Sequence, residues 1–179
     1  AQFVECLQKE TGQIFYCATS YISFLLAEPA DFLSDVIYDA DMADVASVQV
    51  HIDGETDLNM ELDSENKQYT VNDIDVAALG TDAVDALTTL YDNLTGLTTS
   101  TLDLTDNVPM EEEPEITLTY NLKDGTTEVI TFLAKDKESY YVLRNGEYSG
   151  FLAKRTAFTS RNGILEFYHR LEKTIGMTE

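Results

Sequence analysis

Apolar and polar residues alternate in short runs along most of the chain, and the runs come in pairs joined by turn residues. Over residues 45–52, Val48, Val50 and Ile52 alternate with Ser47, Gln49 and His51, the pattern of a strand buried on one face. Asp53-Gly54 turns the chain, and 57–63 and 67–71 predict a further hairpin around the polar turn Ser64-Glu65-Asn66. Four more runs, 115–122, 126–133, 138–144 and 147–153, follow in close order. Asp124-Gly125 and Asn145-Gly146 between them are strong hairpin turns, so a meander is expected. Helical spacing is confined to three places. Residues 20–27 place Ile22, Leu25 and Leu26 on one face before Pro29. Residues 82–94 carry the stripe Ala83, Leu87, Leu90, Tyr91 and Leu94, with Thr81 as N-cap and Gly96 as stop. Residues 161–174 carry Ile164, Phe167, Tyr168, Leu171 and Ile175, capped by Gly176.

Strands in hairpins with a few amphipathic helices predict an α+β fold, a mostly antiparallel sheet of hairpins and meander with the helices on one face. A similar unit recurs near each end. FVECLQKETGQIFYCATSYISFLL and SYYVLRNGEYSGFLAKRTAFTSRNGILEFYHRLEK both read as strand, Gly turn, strand, short helix. The expectation is a single α+β domain over 1–179 with two related halves. VPMEEEPE, with two of the three prolines, marks a sub-boundary candidate near 105–114.

The first hairpin, 2–8 with 13–19, holds both cysteines. A two-residue turn at Thr11-Gly12 places Cys6 opposite Cys17. A three-residue loop ending in Gly12 places Cys6 opposite Tyr16 and the thiols on opposite faces. Only the first register admits a Cys6–Cys17 disulfide without backbone movement; in the other the two pack as free thiols.

Charge changes the picture most. The net charge is −22, and it is lopsided: residues 1–122 hold 25 Asp and Glu against Lys9 and Lys67, whereas 123–179 hold eight acids and nine Lys and Arg. Nucleic acid is excluded as a partner, because phosphate neutralisation needs Lys and Arg, and anionic membrane surfaces are disfavoured for the same reason. The imbalance also predicts that the C-terminal cations pack against the acidic part or form a patch for self-association. The longest apolar stretch, SYISFLLAEPA, falls short of the roughly 20 residues of a membrane span. Direct membrane insertion by this fragment is therefore not expected. Ala1 stands directly before a strand pattern, which suggests a chain trimmed of any export signal or anchor.

Candidate chemistry is sparse. His51 faces outward and His169 sits beside the last helical stripe, neither in a pattern with a nucleophile or carboxylate. No phosphate-cradling glycine motif and no G-x-S-x-G elbow occurs, so no cofactor, no catalytic residue and no enzyme activity is expected. Asp39, Asp41 and Asp44 are the metal candidates, but the stretch lacks the Gly and distant Glu of an EF-hand and reads better as a solvated acidic loop. Glu111-Glu112-Glu113 reads as a charged loop. Ten tyrosines and eight phenylalanines remain. Tyr140, Tyr141, Tyr148 and Phe151 gather in the last hairpin and Phe15-Tyr16 in the first, a candidate binding surface set against ordinary cross-strand packing.

Taken together, TGQIFYCATS, FLLAEPADFLSD, DVASVQVHI, DALTTLYDNLTGL, PEITLTYNLKDGTTEVITF and YYVLRNGEYSGFLAKRTAF resemble the bacterial domain of unknown function 4340, over residues 2–173. The resemblance implies an extracytoplasmic protein of the bacterial envelope, exported or held at the membrane by an anchor outside this chain. Some relatives accompany ABC-type transport or gliding systems. It carries no catalytic motif over to these residues. The leading expectation is a non-enzymatic extracytoplasmic module that binds protein partners in the envelope. The alternative is a glycan- or small-molecule-binding domain that uses the tyrosine-rich hairpins.

Overall fold

The computed structural model describes residues 3–22, 35–105 and 107–177. Two compact units emerge, residues 1–34 and 35–179. The division thus falls after residue 34, and the stretch 105–114 lies inside the second unit.

In the first unit, β1 (Phe3–Leu7) pairs antiparallel with β2 (Ile14–Ala18), and α1 (Thr19–Ile22) follows at once. Leu25, Leu26 and Pro29 of the expected helix lie outside the described residues. The register is neither of the two expected. Cys6 lies opposite Phe15 and Cys17 opposite Val4. The cause is a longer turn: Gln8 N–H donates to the Gln13 carbonyl at 2.9 Å, and Gly12 N–H donates to the Gln8 carbonyl at 2.9 Å. Lys9, Glu10, Thr11 and Gly12 therefore form a four-residue loop, with Gly12 left-handed at φ 69°.

The second unit is built on nine antiparallel strands in the order β6-β5-β4-β3-β8-β9-β10-β11-β7. The strands are β3 (Val45–Ile52), β4 (Thr56–Asp63), β5 (Gln68–Val71), β6 (Ile74–Asp75), β7 (Thr101–Leu102), β8 (Ile116–Leu122), β9 (Thr127–Ala134), β10 (Ser139–Arg144) and β11 (Glu147–Lys154). The expected meander is β8 to β11. Both edges of the sheet end in two-residue strands, which leaves little backbone for another chain to pair with.

One face of the sheet is the core. Val48 pairs with Met60 and Tyr120, Val50 with Leu58 and Leu118, and Ile116 with Phe132; all are buried. Onto that core pack α2 (Thr81–Thr95), α3 (Thr156–Thr159) and α4 (Ile164–Ile175). The stripe of α2 is buried as expected, and so is that of α4 except Phe167, which is half-buried. No helix among the described residues is long and apolar enough to cross a membrane.

Three local features depart from the sequence pattern. The N-cap of α2 is Gly80 with no side-chain cap, and Thr81 is already helical. The last helix begins at Ile164, because Thr156–Thr159 closes first as a separate turn of helix and Gly163 caps the next. Between Val142 and Leu143 the register to β11 shifts, with Ser149 and Gly150 bulging out at Gly150 φ 80°.

Candidate functional site

Strand alternation decides which face each candidate aromatic takes, because the shift in β11 spans two residues and leaves every side chain on its own face. Tyr140 and Phe151 share the core face through the pairs Tyr140–Ala153 and Val142–Phe151, whereas Tyr141 and Tyr148 face the other way with Leu152 and Leu143. The four rings therefore form no single platform. Tyr140 is buried, with Arg155 stacked over its ring at 4.3 Å and with edge-to-face contacts to Phe132 and Phe158. Its hydroxyl donates to Glu115 Oε2 at 3.1 Å and accepts from Arg155 at 3.2 Å. Burial pushes the Tyr140 phenol up to about 12.

Arg155 closes this cluster. It reaches both oxygens of Glu115, at 2.6 and 3.0 Å, and the carbonyl of Asp136 at 2.7 Å. The guanidinium holds the Glu115 carboxyl below its usual range. The fork geometry suits a planar carboxylate, and it joins the stretch before β8 to the stretch after β11.

Tyr141 and Tyr148 meet edge to face at 5.6 Å on the second face. The Tyr148 hydroxyl donates to the Asp103 carbonyl at 2.7 Å, and Lys135 lies over the Tyr141 ring at 5.3 Å while pairing with Asp103. Burial pushes the Tyr148 phenol up to about 12. Leu133, Leu143 and Leu152 are buried on this side, apart from the main core. These rings serve a second small core.

The acidic candidates Asp39, Asp41 and Asp44 are exposed. The Asp41 carboxylate accepts the Ala43 N–H at 2.8 Å, and the Asp41 carbonyl accepts the Asp44 N–H at 2.9 Å, so this is a self-closing turn. Among the described residues, three or more His, Cys, Asp or Glu do not gather as a metal would require. His51 sits on the open face of β3 with Nδ1 at 2.5 Å from Asp57, whose side chain is itself exposed. Gln49, Asn59, Asn72, Thr117 and Thr119 surround that pair in a shallow groove of about 350 Å³. His169 pairs with Glu172 one turn along α4.

The first hairpin presents the most unusual surface. Val4, Cys6, Phe15 and Cys17 share one face; Phe3, Glu5, Leu7, Ile14 and Tyr16 share the other. Phe3, Leu7, Ile14, Phe15 and Tyr16 are all more than half exposed, and Tyr21 of α1 is 77 % exposed. Phe15 and Tyr16 were legible as candidates from their composition. The two-sidedness was not, because alternation alone assigns one face of a strand to a core. The thiols of Cys6 and Cys17 are half-buried and free.

Comparison of the chain with family models, curated proteins and solved structures gives no match.

Proposed function

We propose that the chain is a non-enzymatic, extracytoplasmic protein-interaction module of a bacterial envelope protein, held at the membrane in the full-length protein by an anchor outside this chain. The observation that carries the reading is the hairpin β1–β2, with large apolar side chains exposed on both faces. A two-stranded ribbon is marginal in water by itself, and burial of each such side chain is worth about 1.5–3 kcal/mol. A protein partner that covers the ribbon supplies that burial.

A comparison within the chain supports the same reading. The unit β10–β11–α3 has the order strand, Gly turn, strand, short helix, and its strands are flanked by β9 and β7. The unit β1–β2–α1 has the same order, and among the described residues its strands pair only with each other. We take the two as related halves, the first completed by a partner where the second is completed by its own sheet.

The test is affinity capture with the tagged chain from envelope fractions of the cells that make it, in parallel with the double variant Leu7→Ser/Phe15→Ser. A specific partner should be recovered by the parent. Its retention should fall at least about tenfold in the variant, the loss expected from two exposed anchors. Equal recovery by both proteins, or turnover of a substrate by the pure chain, defeats the reading. Unchanged thermal unfolding of residues 35–179 in the variant shows that the substitution acts on the ribbon.

A further inference from the structure

We propose that Cys6 and Cys17 form a reversible disulfide, and that closing it slides β2 by two residues along β1. The proposal rests on the ribbon's register and stands apart from the function proposed above. Cys6 is opposite Phe15 and Cys17 opposite Val4, so the thiols are diagonal neighbours on one face. Diagonal neighbours stand about 7–8 Å apart between Cα atoms, beyond the roughly 4.4–6.8 Å that a disulfide spans. The observed register therefore holds the thiols near each other but out of bonding range.

A slip of one residue would invert every side chain, but a slip of two leaves each on its own face. It sets Cys6 directly opposite Cys17, at about 4.5–5.5 Å. The four-residue loop between Gln8 and Gln13 would shorten to Thr11-Gly12, with Glu10 opposite Gln13. Gly12 is already left-handed, as the second residue of a type I′ turn must be, and Thr11 would have to join it at positive φ, which is the costly step of the slide. At the other end, Val4 and Phe3 would come opposite Thr19 and Ser20, drawing the first residues of α1 into the strand.

The chemistry is thiol–disulfide exchange with a small-molecule disulfide as oxidant. One cysteine thiolate attacks the small disulfide, breaks its S–S bond and expels one small thiolate, leaving a mixed disulfide on the protein. The second cysteine thiolate attacks the protein's sulfur in that bond and expels the other. Two electrons pass to the small disulfide, which leaves as two thiols with the two protons the cysteines give up. Tyr16, which opposes Glu5 and donates to its carboxylate at 2.9 Å, would then oppose Leu7. Phe15 and Tyr16 would move about 7 Å relative to β1, so oxidation would redraw the exposed aromatic surface.

The full chain is equilibrated in mixtures of reduced and oxidised glutathione. The expected product is a monomer that has lost both thiols and two hydrogen masses. In hydrogen exchange, the Glu10 amide should gain protection and the Gly12 amide, now bonded to Gln8, should lose it. Deleting Lys9 and Glu10 leaves Thr11-Gly12 as a tight turn that keeps Cys6 opposite Phe15. That variant should have an equilibrium constant for closure lower by at least about tenfold. Failure of the parent to close, purely intermolecular disulfides, closure with the Gly12 amide still protected, or equally ready closure in the deletion variant would each overturn the proposal. If the deletion unfolds the ribbon, the exchange pattern of the parent decides.

Discussion

Arg155, Glu115 and Tyr140 show how one residue is made to hold two distant stretches of chain. The guanidinium stacks on Tyr140 and forks onto Glu115, so the ring supplies packing and the carboxylate supplies direction. The Glu115 side chain keeps 39 % of its exposure, and solvent screening limits what the pair contributes. Glu115→Gln should cost about 1 kcal/mol at pH 7, the low end for a charged hydrogen bond once screening is allowed for. The pH dependence has a definite sign. The Glu115 carboxyl is held below its ordinary value of 4.5 chiefly by the hydrogen bond from Arg155. Its stabilisation is therefore complete above that value and is lost as pH falls through the depressed one. Urea midpoints of parent and variant should differ at pH 7, and the gap should narrow as pH falls below 4.5; a gap that stays constant as pH falls would show that the loss is steric.

At the scale of elements, what the sequence made legible and what it concealed divide along one physical line. Period-two and helical stripes survived intact: Val48, Val50 and Ile52 in β3, and Ala83, Leu87, Leu90, Tyr91 and Leu94 in α2, are all buried. Such patterns report which side of an element meets apolar neighbours, and the core is made of those neighbours. Backbone choices at the ends were concealed, because several turns suit the same residues. Thr81 has the chemistry of an N-cap, yet the Ala77–Leu79 turn of 3₁₀ helix delivers the chain through Gly80, and Thr81 is helical. Thr81→Ala should therefore change stability by less than about 0.5 kcal/mol, where loss of a capping threonine typically costs about 1 kcal/mol. Gly163 is the opposite case. Its φ of −90° is ordinary, so conformational preference alone predicts that Ala there is harmless. A Cβ at that position would stand 2.6 Å from the Phe158 carbonyl oxygen, and Gly163→Ala should cost about 1–3 kcal/mol as an overpacked site does. Denaturant melts of the two variants separate the alternatives. Local preference alone gives a loss at Thr81 and none at Gly163; tertiary packing gives the reverse. Gly150 was the one legible sign of the β11 bulge, a glycine inside a strand pattern. Alternation along β10, not the bulge, separates Tyr140 from Tyr141 and Tyr148 as a candidate surface, since a shift of two residues keeps every side chain on its own face.

For the whole molecule, the governing quantity is charge. The acidic N-terminal two thirds and the cation-rich remainder are partly reconciled inside the second unit, where Lys135 pairs with Asp103 and Arg155 with Glu115. Arg144 pairs with Glu128 within the meander itself. Those pairs consume cations that a self-associating patch would need. Residues 35–179, pairs included, hold 29 Asp and Glu against ten Lys and Arg. Net charge of that size destabilises a compact state through self-repulsion. Salt then has two opposed effects: it weakens the ion pairs, and it screens the like charges. The pairs are a few short, partly covered contacts, which added ions reach poorly. The repulsion is summed over many exposed carboxylates and falls off over a Debye length of about 10 Å at 0.1 M. Screening of repulsion should win, so the thermal midpoint should rise by at least about 2 °C, equivalent to about 1 kcal/mol, when sodium chloride is raised from low to high concentration. Light scattering should give the same monomer mass throughout. A midpoint that falls with salt would mean that the paired cations dominate the stability of the fold, and a mass that drops with salt would mean that they are shared with a second copy.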